Sequence, residues 1–227
     1  MLSLDILLVQ EFQSLRGEWE NQQAICRSMG SWPESFGEWE REAFPDPRIC
    51  NGVVIFSRYP ITEASPIHLP RITRKAIHAQ GIAVERRMRV AASCTVKTRQ
   101  FGALQVLNTH LDTQLTVQER ISQFSPILEI ARAYPQAVVG GDLNTDPFEW
   151  IATKFIRLPY LHWGKKPAEN IWRLAERQGF EAIFKNAQTH QWLPLQLDGI
   201  FTRGISVKDR GICKMKGTDH RLLWIEC

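Results

Sequence analysis

The chain has 227 residues, 44% of them apolar and 23% charged, with a formal net charge of +4. That is enough apolar material for one sizeable core, and it excludes a disordered, low-complexity or collagen-like chain. The small basic excess favours anionic partners such as phosphates or nucleic acid only weakly, because a solvated basic surface has the same composition.

The five cysteines, Cys26, Cys50, Cys94, Cys213 and Cys227, are odd in number and share no metal-ligand spacing. Free thiols in a reducing compartment, the cytoplasm, are therefore the expectation. No run reaches the roughly 18 apolar residues of a membrane helix. Asp5 interrupts the first apolar run, and no basic segment precedes it, so a signal peptide is not expected. No linker or repeat divides the sequence, which suggests a single domain over residues 1–227 and a monomer.

In chain order, LDILLVQ (residues 4–10) has the length and apolarity of a buried strand. Residues 12–29 suit a helix, with Leu15, Trp19 and Ala24 among polar neighbours. NGVVIFSRYPI (51–61) predicts a turn, a strand and a proline stop. MRVAASCTVKT (88–98) and ALQVLNTHL (103–111) predict an antiparallel hairpin. Residues 114–133 carry the strongest helical period, with Val117, Ile121, Phe124, Leu128 and Ala131 three or four apart. AVVGGDL predicts the next strand, with the chain expected to leave the core on Gly140 and Gly141. Asp146, Pro147 and Glu149 form a helix-start pattern. A further helix is expected over 168–178, and strands over 196–202, 205–209 and 221–226. Many strands with scattered helices argue for two packed sheets with helices outside.

The chemistry-bearing residues share one placement, at the ends of apolar strands. Glu11 follows LLVQ, and Asn108 and His110 end ALQVL. Asp142 and Asn144 follow VVGG, Asp198 lies in QLDGIF, and Asp219 and His220 precede RLLWIE. Carboxylates and imidazoles are costly to bury unless paired, hydrogen-bonded or metal-bound. If the strands present one edge, these groups converge on a cleft. Each residue has a plainer reading. Asp142 and Asn144 read as ordinary turn formers, His110 as a satisfied core or surface histidine, and Glu11 as a helix-start acid. Asp198 reads equally as a hairpin residue and Asp219 as a turn cap. The set is harder to dismiss than its members.

The segments LVQEF, NGVVIFSRYPI, VLNTHLD, VVGGDLNTDP, QLDGIF and GTDHRLL, in this order from residue 7 to 223, resemble the endonuclease/exonuclease/phosphatase superfamily. The resemblance implies the deoxyribonuclease I-like α/β fold, a four-layer sandwich of two mainly antiparallel sheets packed face to face with helices outside. It implies hydrolysis of phosphate esters with Mg²⁺, or alternatively Mn²⁺. It assigns Glu11 and Asp219 to the metal, and His110 to the scissile phosphate and to general acid catalysis, with Asn108 beside it. Asp142 would activate water, Asn144 would hold the phosphate, and His220 would stabilise the transition state while Asp198 orients it. The NTHL histidine, His110, leans toward the branches of deoxyribonuclease I, sphingomyelinases and inositol-phosphate phosphatases. Family members usually begin with a strand carrying an Asn ahead of the QE segment. This chain starts at Met1, so the expectation is an N-terminally truncated domain.

Two substrate readings compete. Arg71, Arg74, Lys75, Arg86, Arg87 and Arg89 form a basic stretch that could track a nucleic-acid backbone or simply face water. Trp163 and Trp192 fall in expected loops, where they could stack on bases or pack under those loops. A small phosphoester is the other substrate class, and loop 150–170 is the expected determinant of specificity. The alternative to an enzyme is a non-catalytic module that binds phosphate groups or a protein partner.

Overall fold

The computed structural model describes residues 4–40, 48–78, 81–112, 115–145 and 167–227. The chain divides into two compact units, Met1–His110 and Leu111–Cys227. The helix start expected at 146–149, Trp163 and most of loop 150–170 lie outside the described residues.

In the first unit, β1 (Ile6–Leu15), β2 (Glu34–Glu40) and β3 (Ile49–Ser57) form a sheet in the order β1-β3-β2, antiparallel throughout. Central strand β3 is buried along nearly its whole length, which is why GVVIF lacks polar alternation. β4 (Ile61–His68), β7 (Val90–Thr98) and β8 (Gly102–His110) form a second antiparallel ladder, and β3 packs against β7 and β8. The expected 88–111 hairpin is the β7–β8 pair. β5 (Ile72–His78) and β6 (Gly81–Arg87) pair with each other as a separate ribbon.

Residues 12–29 are not one helix. β1 continues to Leu15, and α1 spans Trp19–Gly30. Phe12 explains the difference. It is buried against Val54 and Phe56 and meets the Trp19 ring edge-on at 5.1 Å, so tertiary packing overrides the local helical pattern.

In the second unit, β9 (Ala137–Asp142), β10 (Glu181–Ala182) and β11 (Asp198–Arg203) pair antiparallel in the order β10-β11-β9. β12 (Asp209–Lys214) and β13 (Arg221–Glu226) form a hairpin. The strand expected over 205–209 begins only at Asp209. α2 (Val117–Arg132) opens on a capping box between Thr116 and Glu119, and α3 spans Pro167–Arg177. Phe124 of α2 packs on Phe201 of β11 at 5.3 Å between ring centroids. The buried stripe of α2 includes Arg120 and Gln123, whereas Val117 and Ile121 are only half-buried. The apolar period alone misses this rotation, because the two polar side chains are buried to bond loop backbone. Among the described residues, no helix is long and apolar enough to cross a membrane.

Gly52 sits in β3 opposite Phe12 and Trp39. A Cβ there would press on the Glu38 carbonyl oxygen and come within 2.6 Å of Trp39 Cα, both backbone atoms that cannot yield cheaply. Gly52→Ala is expected to lower stability by about 1–3 kcal/mol through overpacking, read as a lower urea midpoint. An unchanged midpoint would show that β2 and β3 are not held this close.

Candidate active site

The β9–β11 register places Asp142 directly opposite Asp198. Residues opposite in an antiparallel pair share a face, and two like charges so placed repel. His220, just before β13, offsets this repulsion. Its Nδ1 lies 2.9 Å and 3.1 Å from the two Asp198 oxygens. Its Nε2 lies 3.9 Å from Asp142 Oδ2 and 3.9 Å from Asp219 Oδ1. Burial of the ring opposes its charge, but the hydrogen bond to Asp198 and the charges of Asp198, Asp142 and Asp219 outweigh that. The His220 pKa is pushed up to about 9. At neutral pH the ring is an imidazolium that donates Nδ1–H to Asp198, with Nε2–H available to a ligand. The 3.9 Å gap to Asp142 lets a water oxygen lie within hydrogen-bond reach of both groups.

Backbone bonds fix this geometry. Buried Thr189 accepts through Oγ1 from the N–H groups of Leu197 (2.7 Å) and Asp198 (3.1 Å), and its carbonyl accepts from Arg221 N–H at 2.7 Å. One residue thus anchors the start of both β11 and β13. The Asn144 N–H donates to Asp142 Oδ1 at 2.8 Å, an Asx turn. The turn-forming and site-forming readings of Asp142 are therefore compatible. Asn144 has φ 45°, a conformation Asn tolerates better than most residues. Buried Arg120 holds the loop by donating to the carbonyls of Leu143 (3.2 Å) and Asn144 (2.6 Å). Asn144 Nδ2 donates to the Leu111 carbonyl at 2.8 Å. β9 does not leave the core at the glycines: it runs through both, and the turn comes after Asp142. Gly141, at φ 149°, provides a backbone shape that other residues rarely adopt.

In the first unit, β1 carries a bulge between Val9 and Phe12. Glu11 stands in it at φ 52°, exposed, while Phe12 returns to the core. A non-glycine residue at positive φ is uncommon, and such strain concentrates at functional positions. Asn108 Nδ2 donates to the carbonyls of Val9 (2.8 Å) and Val54 (2.9 Å), and its Oδ1 accepts from Gln10. One amide hydrogen thus braces β1 beside its bulge and the other holds β3.

His110 is buried, with Nδ1 3.1 Å from Arg89 Nη1, which also donates to Glu40 Oε2 at 2.7 Å. A guanidinium only donates, so Nδ1 accepts and the ring proton sits on Nε2. Arg89 is only 5% exposed, which overturns its reading as part of a water-facing or backbone-tracking basic stretch. Its carboxylate partner, Glu40, lies far away in sequence.

The structure therefore brings Asp142, Asp198 and His220 together, with Asp219 at their rim and Asn144 bonded to Asp142. Asn108 and His110 share β8, and Glu11 stands on the β1 bulge. Sequence reasoning missed Glu40, Arg120, Thr189 and His190. None of these has a motif, and their contacts form only on folding. Ligand atoms of Asp142, Asp198 and His220 lie within 4.8 Å of one another, a group able to hold a metal ion. The two carboxylates offer the oxygen donors of a hard cation, whereas His220 Nδ1 is committed to Asp198.

A family model described as "Endonuclease/Exonuclease/phosphatase family" matches residues 1–220. A sequence search of curated proteins returns no match. Among solved structures, an endonuclease/exonuclease/phosphatase from Beutenbergia cavernae superposes with a TM-score of 0.70 at 18% identity. That match covers 96% of this chain but 60% of the Beutenbergia protein's length. One from Bacteroides vulgatus gives 0.58 at 18% identity, covering 98% of this chain and 85% of that one. The 3′ phosphatase NExo from Neisseria, bound to a product DNA hairpin, gives 0.57 at 17% identity, covering 98% and 88%. At these identities the likeness is one of fold.

The raised pKa of His220 has a consequence for stability. The folded value of about 9 exceeds the ordinary 6.5, so the ion pair's contribution is fully present below about pH 6.5 and is lost as pH rises through 9. In EDTA, the urea midpoint of the wild type should fall between pH 6.5 and 9.5, and His220→Asn should lack that fall. Parallel curves would refute the ion pair.

Proposed function

Because this chain belongs to the endonuclease/exonuclease/phosphatase family, whose α/β sandwich it shares, we propose that it is a metal-dependent hydrolase of phosphoester bonds, acting through one catalytic domain. The observation that carries this reading is the placement of His220, with Nδ1 clamped by Asp198 at 2.9 Å and Nε2 facing Asp142 at 3.9 Å.

Asp142 takes a proton from water as the water oxygen bonds to phosphorus. The ester P–O bond breaks, the leaving oxygen takes a proton from solvent, and Asp142 releases its own to solvent, so one water is consumed. Negative charge builds on the phosphoryl oxygens during this step, and a preorganised cationic donor such as His220 Nε2–H offsets it. Asn144 is assigned to the phosphate and Asn108 to bracing the strand beneath Glu11. Glu11 and Asp219 are the carboxylates assigned to the cation, Mg²⁺ or Mn²⁺, which when bound offsets negative charge on the phosphate.

His110 is assigned a role different from the one its motif suggests. With Nδ1 accepting from Arg89, loss of its Nε2 proton would leave an imidazolate. It serves better as a neutral hydrogen-bond donor to a phosphate oxygen than as a general acid.

Hydrolysis of bis(p-nitrophenyl) phosphate tests the function. Turnover should require Mg²⁺ or Mn²⁺ and stop in EDTA. Asp142→Asn should lower kcat by about 10²–10⁴-fold, and full turnover in that variant would sink the assignment. For His110, replacement by Ala should cost about 10²–10³-fold, and Gln, whose amide can donate, should restore much of the loss. Equal loss in both variants would favour the general-acid role instead.

A further inference from the structure

Trp192 is 72% exposed, Leu193 47% and Met215 46%. These large apolar side chains lie on the two turns next to His220. The Trp192 ring meets the His190 ring edge-on at 5.7 Å, and the His190 ring is 6.4 Å from that of His220. The tryptophan is thus one ring removed from the imidazolium assigned to the phosphate.

The two turns are fastened to each other. His190 Nδ1 accepts from the backbone N–H groups of Trp192 (3.2 Å) and Leu193 (2.9 Å), which leaves its proton on Nε2, 3.8 Å from Asp219 Oδ2. The Gln191 N–H donates to the Asp219 carbonyl at 2.6 Å. The Gln191 side chain donates to the Thr218 carbonyl at 2.7 Å and to that of Met215. An exposed aromatic side chain on so constrained a backbone loses little freedom when a ligand meets it.

We propose that Trp192 is a stacking platform for a nucleobase of the substrate, which makes single-stranded nucleic acid the substrate class. This rests on the phosphoester-hydrolase reading of Asp142 and His220. Every base has a π-face, and stacking on a fixed aromatic ring needs only one flat surface. A base next to a phosphate is also the arrangement within a nucleotide. Lys214 and Lys216, exposed on either side of Met215, supply countercharge for flanking phosphates. An anionic bilayer fits less well, because Asp219, 56% exposed beside these groups, would meet its headgroups.

The test is fluorescence anisotropy with a short labelled oligothymidylate in EDTA, beside an abasic oligonucleotide of the same length. Trp192→Ala should weaken oligothymidylate binding by about 5- to 100-fold and leave abasic binding unchanged, and Trp192→Phe should recover most of the loss. Equal weakening of both ligands, or of neither, overturns the proposal. So does unchanged oligothymidylate binding with lost binding to phosphatidylserine vesicles. The assay reads no turnover, so failure of bis(p-nitrophenyl) phosphate hydrolysis would count against the hydrolase reading alone.

Discussion

Two carboxylates that face each other across a strand pair need a positive charge between or beside them. Asp142 and Asp198 meet in this way, and His220 supplies the charge. The remaining arrangement of the second unit serves this contact. Thr189 sets where β11 and β13 begin, Arg120 holds the loop beyond β9, and the Asx turn orients Asp142. The carboxylates whose mutual repulsion would destabilise the strand pair also raise the histidine pKa, through the hydrogen bond to Asp198 and their negative charge, and keep a cationic donor in place at neutral pH.

The first unit solves a related problem by other means. Glu11 must leave the pattern of a buried strand without ending it, and a bulge at positive φ does so while Phe12 returns to the core. Strain of this kind persists only where neighbours over-determine it. Asn108 and Gln10 are such neighbours, since one amide bridges β1, β3 and β8. Buried Arg89 and Glu40 pair with each other, and the arginine then dictates which nitrogen of His110 carries the proton. The two histidines are consequently unlike: a carboxylate makes one cationic, and a guanidinium keeps the other neutral.

Chemistry and specificity are divided between kinds of backbone. The polar groups that would act on a phosphoester stand at or next to strand ends or, for Glu11, on a bulge within a strand, where ladders hold them. The features that would choose a substrate, Trp192 and Met215 among them, stand on turns. Turns accept changes that strands do not, so a shared reaction does not imply a shared substrate.

The sequence by itself determined the strand-rich class and the order of the site motifs, because periodicity and short polar segments at strand ends are local signals. It singled out Asp142, Asp198 and His220, three positions distant in sequence whose side chains the fold brings together. It misjudged residues 12–29, the rotation of α2 and the burial of Arg89, each decided by a partner distant in sequence: Phe56 for Phe12, the 143–144 carbonyls for Arg120, and Glu40 for Arg89. Only the tertiary structure decided protonation. The charge on His220 and the tautomer of His110 depend on which groups lie within about 3–4 Å, and no local pattern records that distance.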